Sequence, residues 1–443
     1  MNDFLNSILD MSLDSRTKGI PIVDGSVRLR DVGAQGWNVL RGDMTFPLLT
    51  LREERMKQNL STMRSIAEHH NVFLAPHGKS TVCPQLYRDQ IEIGGSWGIT
   101  AATVQQAHVV AASGVNNIII ANQVMGPANI ANFIAIKTTF PQINIFSLVD
   151  SLETLGELIE YGAAKLSSGM RFQVLLEAGY PGGRTGVRTM DQAVGVIAAI
   201  LRENDTVQLC GIESYEGTIN LGSPKETIDA VDNFLDFCVE ILERAKAMNA
   251  FAGCNEILLT AGGSAYFDRV VAKFTEAHNG PGTRIALRGG SYLTYDHGFY
   301  RTKLREMEGR GGVDGVDGPV DLTRDFLPAL EIWSIVQSLQ DPGMAIMSMG
   351  IRDLPYDLGY PTPLRQYRAG EVVGEFEKRN GVFEITDSND QHAYMSYRKD
   401  ADIRVGDLFC FGISHPCTAF DKWDVLYKVD EAYNITSALK TFF

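Results

Sequence analysis

Between residues 72 and 287 the chain carries eight short apolar runs, most of them separated by a stretch with apolar residues at helical spacing. The runs are 72–75, 97–99, 117–120, 143–146, 172–176, 207–210, 256–259 and 284–287. Brief, near-continuous apolar runs suit parallel strands buried on both faces. The segments 102–113, 128–138, 151–162, 190–203, 224–249 and 265–277 read as the intervening helices. A further helix at 52–69 leads in, with Met56, Leu60, Met63 and Ile66 at helical spacing. Eight such units predict an α/β fold, a (β/α)8 TIM barrel, for which about 250 residues is typical. The same alternation permits a doubly wound open sheet; the count of eight favours the barrel.

The rhythm stops near residue 300. Residues 310–319 are rich in glycine and aspartate and read as an exposed loop. Beyond them, 329–340, 343–350, 381–386, 392–397 and 425–429 read as strands separated by turn residues. Three segments result: an N-terminal extension, 1–45, expected to pack on the β domain; the barrel, 46–305; and a C-terminal mostly-β domain, 320–443.

Composition narrows the function classes. The 54 acidic residues against 40 basic ones give a net charge of −14, which repels a phosphate backbone and argues against nucleic acid as a partner. No apolar run approaches the roughly 18 residues of a membrane span. Residues 1–14 hold acids and no basic residue, unlike the head of a secretory signal. The six cysteines form no C-x-x-C pair, as suits reduced thiols. A cytoplasmic enzyme acting on a small molecule is expected.

Barrel active sites are built at the C-terminal ends of the strands, and several chemically capable residues fall there. Lys79, in Pro76-His77-Gly78-Lys79-Ser80, follows the first strand, where a lysine of depressed pKa can form a Schiff base. Thr260-Ala261-Gly262-Gly263-Ser264 follows the seventh and Arg288-Gly289-Gly290-Ser291 the eighth, the two positions where barrels most often hold phosphate. Arg184, flanked by glycines, follows the fifth, and Tyr215, in Glu213-Ser214-Tyr215-Glu216-Gly217, the sixth. In the β domain, His415-Pro416-Cys417 would, if extended, aim an imidazole and a thiolate the same way, and both are good zinc ligands. Taken singly, each is also what an ordinary loop carries: a solvated lysine or arginine, a packing tyrosine, a tight turn, a chance H-x-C.

Together and in this order, these motifs resemble the fold-type III pyridoxal-phosphate enzymes of the D-serine dehydratase and D-threonine aldolase group, in particular the bacterial D-serine deaminases. The resemblance runs from about residue 46 to the end. It implies an alanine-racemase-like barrel followed by a β domain, in a homodimer. By this likeness Lys79 holds the pyridoxal phosphate, Arg184 lies near its phenolic oxygen and Tyr215 near its pyridine nitrogen. Thr260, Gly262 and Gly263 match the phosphate loop, and His415 and Cys417 match the H-x-C pair that binds zinc. The implied activity is a D-serine dehydratase converting D-serine or related D-β-hydroxy amino acids to a 2-keto acid and ammonia, with zinc assisting departure of hydroxide. The alternatives are a D-threonine-aldolase-type C–C lyase, which would have aspartate where Cys417 stands, a racemase, for which no second base is identified, and a non-catalytic pyridoxal-phosphate protein.

Overall fold

The computed structural model describes residues 3–21, 24–254, 256–278, 282–376 and 381–443. Eight parallel strands follow one another around a barrel: Phe73–Leu74, Ile99–Ala101, Asn117–Gln123, Asn144–Val149, Phe172–Ala178, Val207–Ser214, Ile257–Ala261 and Thr283–Leu287. From the second to the eighth, each pairs with its sequence neighbours, and the eighth pairs with the first. The gap between first and second is bridged by Trp97 N–H donating to the Leu74 carbonyl at 2.8 Å, Thr100 N–H to that of Pro76 at 2.9 Å, and a bridge between His77 and Thr100. An open doubly wound sheet would reverse its strand order at a switch point; this one does not. Ala75, Ile119, Phe146, Leu148, Leu175, Cys210 and Leu258 fill the interior, as the inward layers of such a barrel require.

The helices form where local chemistry favours them. Ser151 and Thr189 close capping boxes at the starts of Leu152–Gly162 and Met190–Arg202, and such caps contribute about 1 kcal/mol each. Pro84–Glu92, which the apolar pattern did not reveal, begins on a proline at its first position. Helix Pro224–Ala247 buries Val231, Phe234, Leu235, Cys238, Ile241 and Leu242, a single stripe against the barrel. Among the described residues, no helix is long and apolar enough to cross a membrane.

The C-terminal part is a largely antiparallel sheet of ten strands. Its hub is Leu330–Ser338, paired with Met344–Met347, Leu408–Gly412 and Leu48–Arg52. Leu48–Arg52, within the segment that the sequence reading gave to the barrel, therefore belongs to this sheet, where it also runs parallel to Val425–Val429. Residues 310–319, read as a loop, contain a small hairpin, Asp314–Gly315 with Gly318–Pro319. The N-terminal segment packs Leu5, Ile8, Leu13, Leu29 and Val32 into a cluster with Trp333, Tyr427 and Ile435.

Three backbone bonds dock this sheet on the C-terminal end of the barrel: Ala329 N–H to Thr294 O, 2.7 Å, His297 N–H to Ile413 O, 3.1 Å, and Phe442 N–H to Val82 O, 2.9 Å. Within the sheet, the Glu331 carboxylate is fully buried between two guanidiniums, 2.6 Å from Arg365 and 3.6 Å from Arg52, whose side chain is 3% exposed. Removing one partner of a buried ion pair leaves the others uncompensated, at a cost of about 3–5 kcal/mol. Glu331→Ala should therefore lower stability by about that much, read as a fall in the urea midpoint with an unchanged denaturant slope.

Candidate active site

Lys79 lies in a single 3-10 turn, Gly78–Ser80, just past the first barrel strand. Tyr87 Oη donates to the Gly78 carbonyl at 3.0 Å, and a Cβ on Gly78 would come within 2.7 Å of the Tyr87 ring and 2.8 Å of Ile99. The lysine-bearing turn is thus clamped between the barrel wall and the following helix. The Lys79 side chain is open to the cavity, yet desolvation by the surrounding walls lowers the pKa of its amine from the usual value; Arg184 and Arg288 push the same way, and the Cys417 sulfur opposes them. This is the environment a nucleophilic lysine needs.

The cavity in front of Lys79 is lined by every one of the strand-end segments singled out in the sequence, with Arg184, Tyr215, Gly262, Gly263 and Cys417 among its residues. The Arg184 guanidinium lies 4.8 Å above the Tyr215 ring. Its loop is ordered by Glu177, which accepts hydrogen bonds of 2.5 Å from both Thr185 Oγ1 and Gln123 Nε2.

The glycine loops are used differently from the sequence expectation. Thr260 is fully buried, and its Oγ1 donates to the Ala286 carbonyl at 2.8 Å, so it is a strand-to-strand tie and does not line the cavity. The N–H groups of Gly262 and Gly263 donate to the buried Glu216 carboxylate at 3.1 and 2.7 Å. An anion cannot use donors already spent on a carboxylate. Among the described residues, the N–H groups of Ser264, Gly289, Gly290 and Ser291 carry no such bond, and all four residues face the cavity. A Cβ on Gly290 would come 2.5 Å from the His77 carbonyl oxygen, and one on Gly289 would come 3.2 Å from Ser264 Oγ. Free N–H groups converging at a turn between strand and helix form an anion cradle, and these four suit a phosphate.

Beneath the cavity lies Arg288, 4% exposed. It is paired with the Glu213 carboxylate and donates to the Ser214 carbonyl. Burial pushes Glu213 up to about 8 despite the arginine. His77 is half-buried, and its pKa is lowered well below the usual value by desolvation and then by Lys79 and Arg288, so its ring stays neutral. Arg288, Glu213, His77, Glu177 and Tyr300, which also line the cavity, were not among the expected site residues. Arg288 and Glu213 lay inside motifs already singled out, but only the fold shows them in contact.

Cys417 is carried into the cavity by the β domain, with its sulfur 3.0 Å from Ser80 Oγ. It opens a one-turn helix, Cys417–Phe420, so the extended geometry expected for His415 and Cys417 does not occur. The two groups nevertheless influence each other: against desolvation, each draws the other toward its charged form. His415 Nδ1 is 2.6 Å from Asp357 Oδ2, and Asp357 Oδ1 accepts from Thr418 Oγ1 at 2.6 Å. A carboxylate on Nδ1 leaves Nε2 as the ligating nitrogen. The donor set is one nitrogen and one sulfur; among the described residues no group of three or more His, Cys, Asp or Glu could hold a metal ion.

Comparison with known proteins agrees with this arrangement. Residues 329–429 match the family described as "Putative serine dehydratase domain". The chain is 26% identical over 315 residues to a D-threonine aldolase from Arthrobacter sp, covering 71% of this chain and 74% of that one. The D-threo-3-hydroxyaspartate dehydratase from Delftia sp. HT23 superposes with a TM-score of 0.69 at 19% identity, over 91% of this chain and 99% of that one. Alanine racemase from Acinetobacter baumannii shares the fold, with a TM-score of 0.52 at 12% identity over 84% and 91% of the two chains. Barrel, lysine turn, anion cradle and β domain thus occur together, and the matching relatives and neighbours support the fold-type III pyridoxal-phosphate family of D-serine dehydratases and D-threonine aldolases, lyases of D-amino acids.

Proposed function

We propose that the protein is a D-serine dehydratase, releasing ammonia and a 2-keto acid from small D-β-hydroxy amino acids, with zinc at His415 and Cys417. The observation that carries this reading is the placement of Cys417 against the lysine turn, through Ser80 at 3.0 Å, which sets a nitrogen–sulfur donor pair beside Lys79. Pyridoxal phosphate, when bound, supplies the electron sink for negative charge at Cα. Zinc on this pair would supply a Lewis acid for the β-hydroxyl, a poor leaving group.

The chain's own residues divide the remaining work. Lys79, its pKa lowered by desolvation, is the anchor for the cofactor and the base for the Cα proton. The Ser264, Gly289, Gly290 and Ser291 N–H groups hold the phosphate, and Arg184 and Tyr215 flank the ring. Of the two arginines lining the cavity, Arg288 is engaged by Glu213 and Ser214 and Arg184 covers Tyr215. The homodimer implied by the resemblance and the cytoplasmic location expected from composition are part of the same proposal; the first is read from the native mass.

Borohydride treatment of the purified protein should fix the cofactor on the peptide containing Lys79, and Lys79→Ala should cut turnover by about 10³-fold or more. Full turnover in that variant would end the proposal. Gly290→Ala should weaken pyridoxal-phosphate binding by about tenfold, ~1.4 kcal/mol, in a cofactor titration of the stripped protein, because its Cβ crowds His77.

Product analysis decides the reaction. D-serine should yield pyruvate and ammonia while L-serine persists; glycine plus an aldehyde from D-threonine, with no keto acid, would make the protein an aldolase. Stripping the metal with a chelator should suppress elimination without releasing the cofactor, since Lys79 holds it independently. A preparation shown metal-free by elemental analysis yet active at the full rate would remove zinc from the mechanism.

A further inference from the structure

At the opposite end of the barrel from the lysine, a second cavity opens between Trp97, Phe146, Gln173, Gln208, Cys210 and Cys254. Cys210 is on the sixth strand with its side chain in the barrel interior, 3% exposed. Cys254 lies in the loop before the seventh strand and is half-buried. Their sulfurs are 3.7 Å apart, which among the described residues makes them the one pair of thiols within hydrogen-bonding distance. Cys83, Cys238 and Cys410 are buried elsewhere, and Cys417 belongs to the lysine site.

The surroundings assign the two sulfurs different roles. The Cys254 sulfur is 2.9 Å from the Leu209 carbonyl and accepts from Gln208 Nε2 at 3.2 Å. The side-chain hydrogen bond with Cys210 lowers the Cys254 pKa; burial opposes this, and Gln208 and Arg171 reinforce it. Cys254 is therefore the accessible nucleophile, and Cys210, deeper and dry, the resolving thiol.

We propose that Cys210 and Cys254 form a modification site, a dithiol that a small-molecule disulfide converts to an intramolecular disulfide across the barrel floor. The Cys254 thiolate attacks one sulfur of the disulfide reagent, breaking its S–S bond and expelling one thiolate. Cys210 then gives up its proton and attacks the Cys254 sulfur of the mixed disulfide, expelling the second thiol. The protein dithiol is oxidised by two electrons and the reagent is reduced to two thiols. Closing from 3.7 Å to the roughly 2.0 Å of a disulfide needs a small shift of the loop bearing Cys254. The bond staples the sixth strand, which leads to Glu213 and Tyr215, to the approach of the seventh, which leads to Gly262 and Gly263.

The test is to incubate the holoenzyme with oxidised glutathione and read intact mass and free thiols. The titre should fall from six to four, the mass should drop by two hydrogens, and a linked pair of peptides should contain Cys210 and Cys254. The oxidised protein should also melt at a higher temperature than the reduced one. Cys210→Ser should stop at a glutathione adduct on Cys254, and Cys254→Ser should form neither product. An unchanged thiol titre, a stable adduct on wild-type Cys254, or modification confined to Cys417 would overturn the proposal. None of these readouts depends on pyridoxal phosphate or on which lyase reaction the protein catalyses.

Discussion

A buried guanidinium organises the site. Arg288 spans from the eighth strand to the sixth, pairing with Glu213 and the Ser214 carbonyl. Its own backbone carbonyl accepts from His77 N–H at 3.0 Å, so one residue ties the phosphate-cradle segment to the turn that carries Lys79. Such a pair adds little net stability against an apolar replacement, because both charges are desolvated. What it provides is position. Gly289 and Gly290 follow it directly, Tyr215 follows its partner strand, and its charge helps depress the Lys79 pKa.

The acids around it have separate duties. Glu177 orders the Arg184 loop through Thr185. Glu216 occupies the Gly262 and Gly263 N–H groups, which holds that loop in shape while the next donors along stay open. Glu213 faces Arg288. Each buried carboxyl has its pKa raised by desolvation, and each is compensated by donors aimed at it, which is what allows several charged groups to share one dry site.

Much of the barrel was legible because its signal is local. A strand buried on both faces must be apolar along its length, and a helix on the outside must be apolar on one stripe. The eight runs therefore coincide with eight strands, and the helix at 52–69 is realised as Glu53–His69. The β domain was less legible. Thr362–Arg368, Glu371–Glu375, Leu408–Gly412 and Ile435–Lys440 went unread, and Leu48–Arg52 was given to the barrel although its partners lie some 280 to 380 residues later. Pairing at such separations leaves no periodicity in either segment alone.

For the site, the sequence by itself determined which residue types stand at the strand ends: the lysine after the first, the glycine pairs after the seventh and eighth, and the H-x-C pair in the β domain. These follow from the fixed polarity of β/α units, which delivers every strand-to-helix loop to one face. Only the tertiary structure decided how donors and acceptors were shared. It assigned the Gly262 and Gly263 N–H groups to Glu216, turned Thr260 into the strand, and left Ser264 and Gly289–Ser291 for an anion. It also brought Cys417 to Ser80 across 337 residues of chain. Hydrogen-bond allocation is a competition among all groups within about 3 Å, and the competitors are neighbours in space that sequence distance does not reveal.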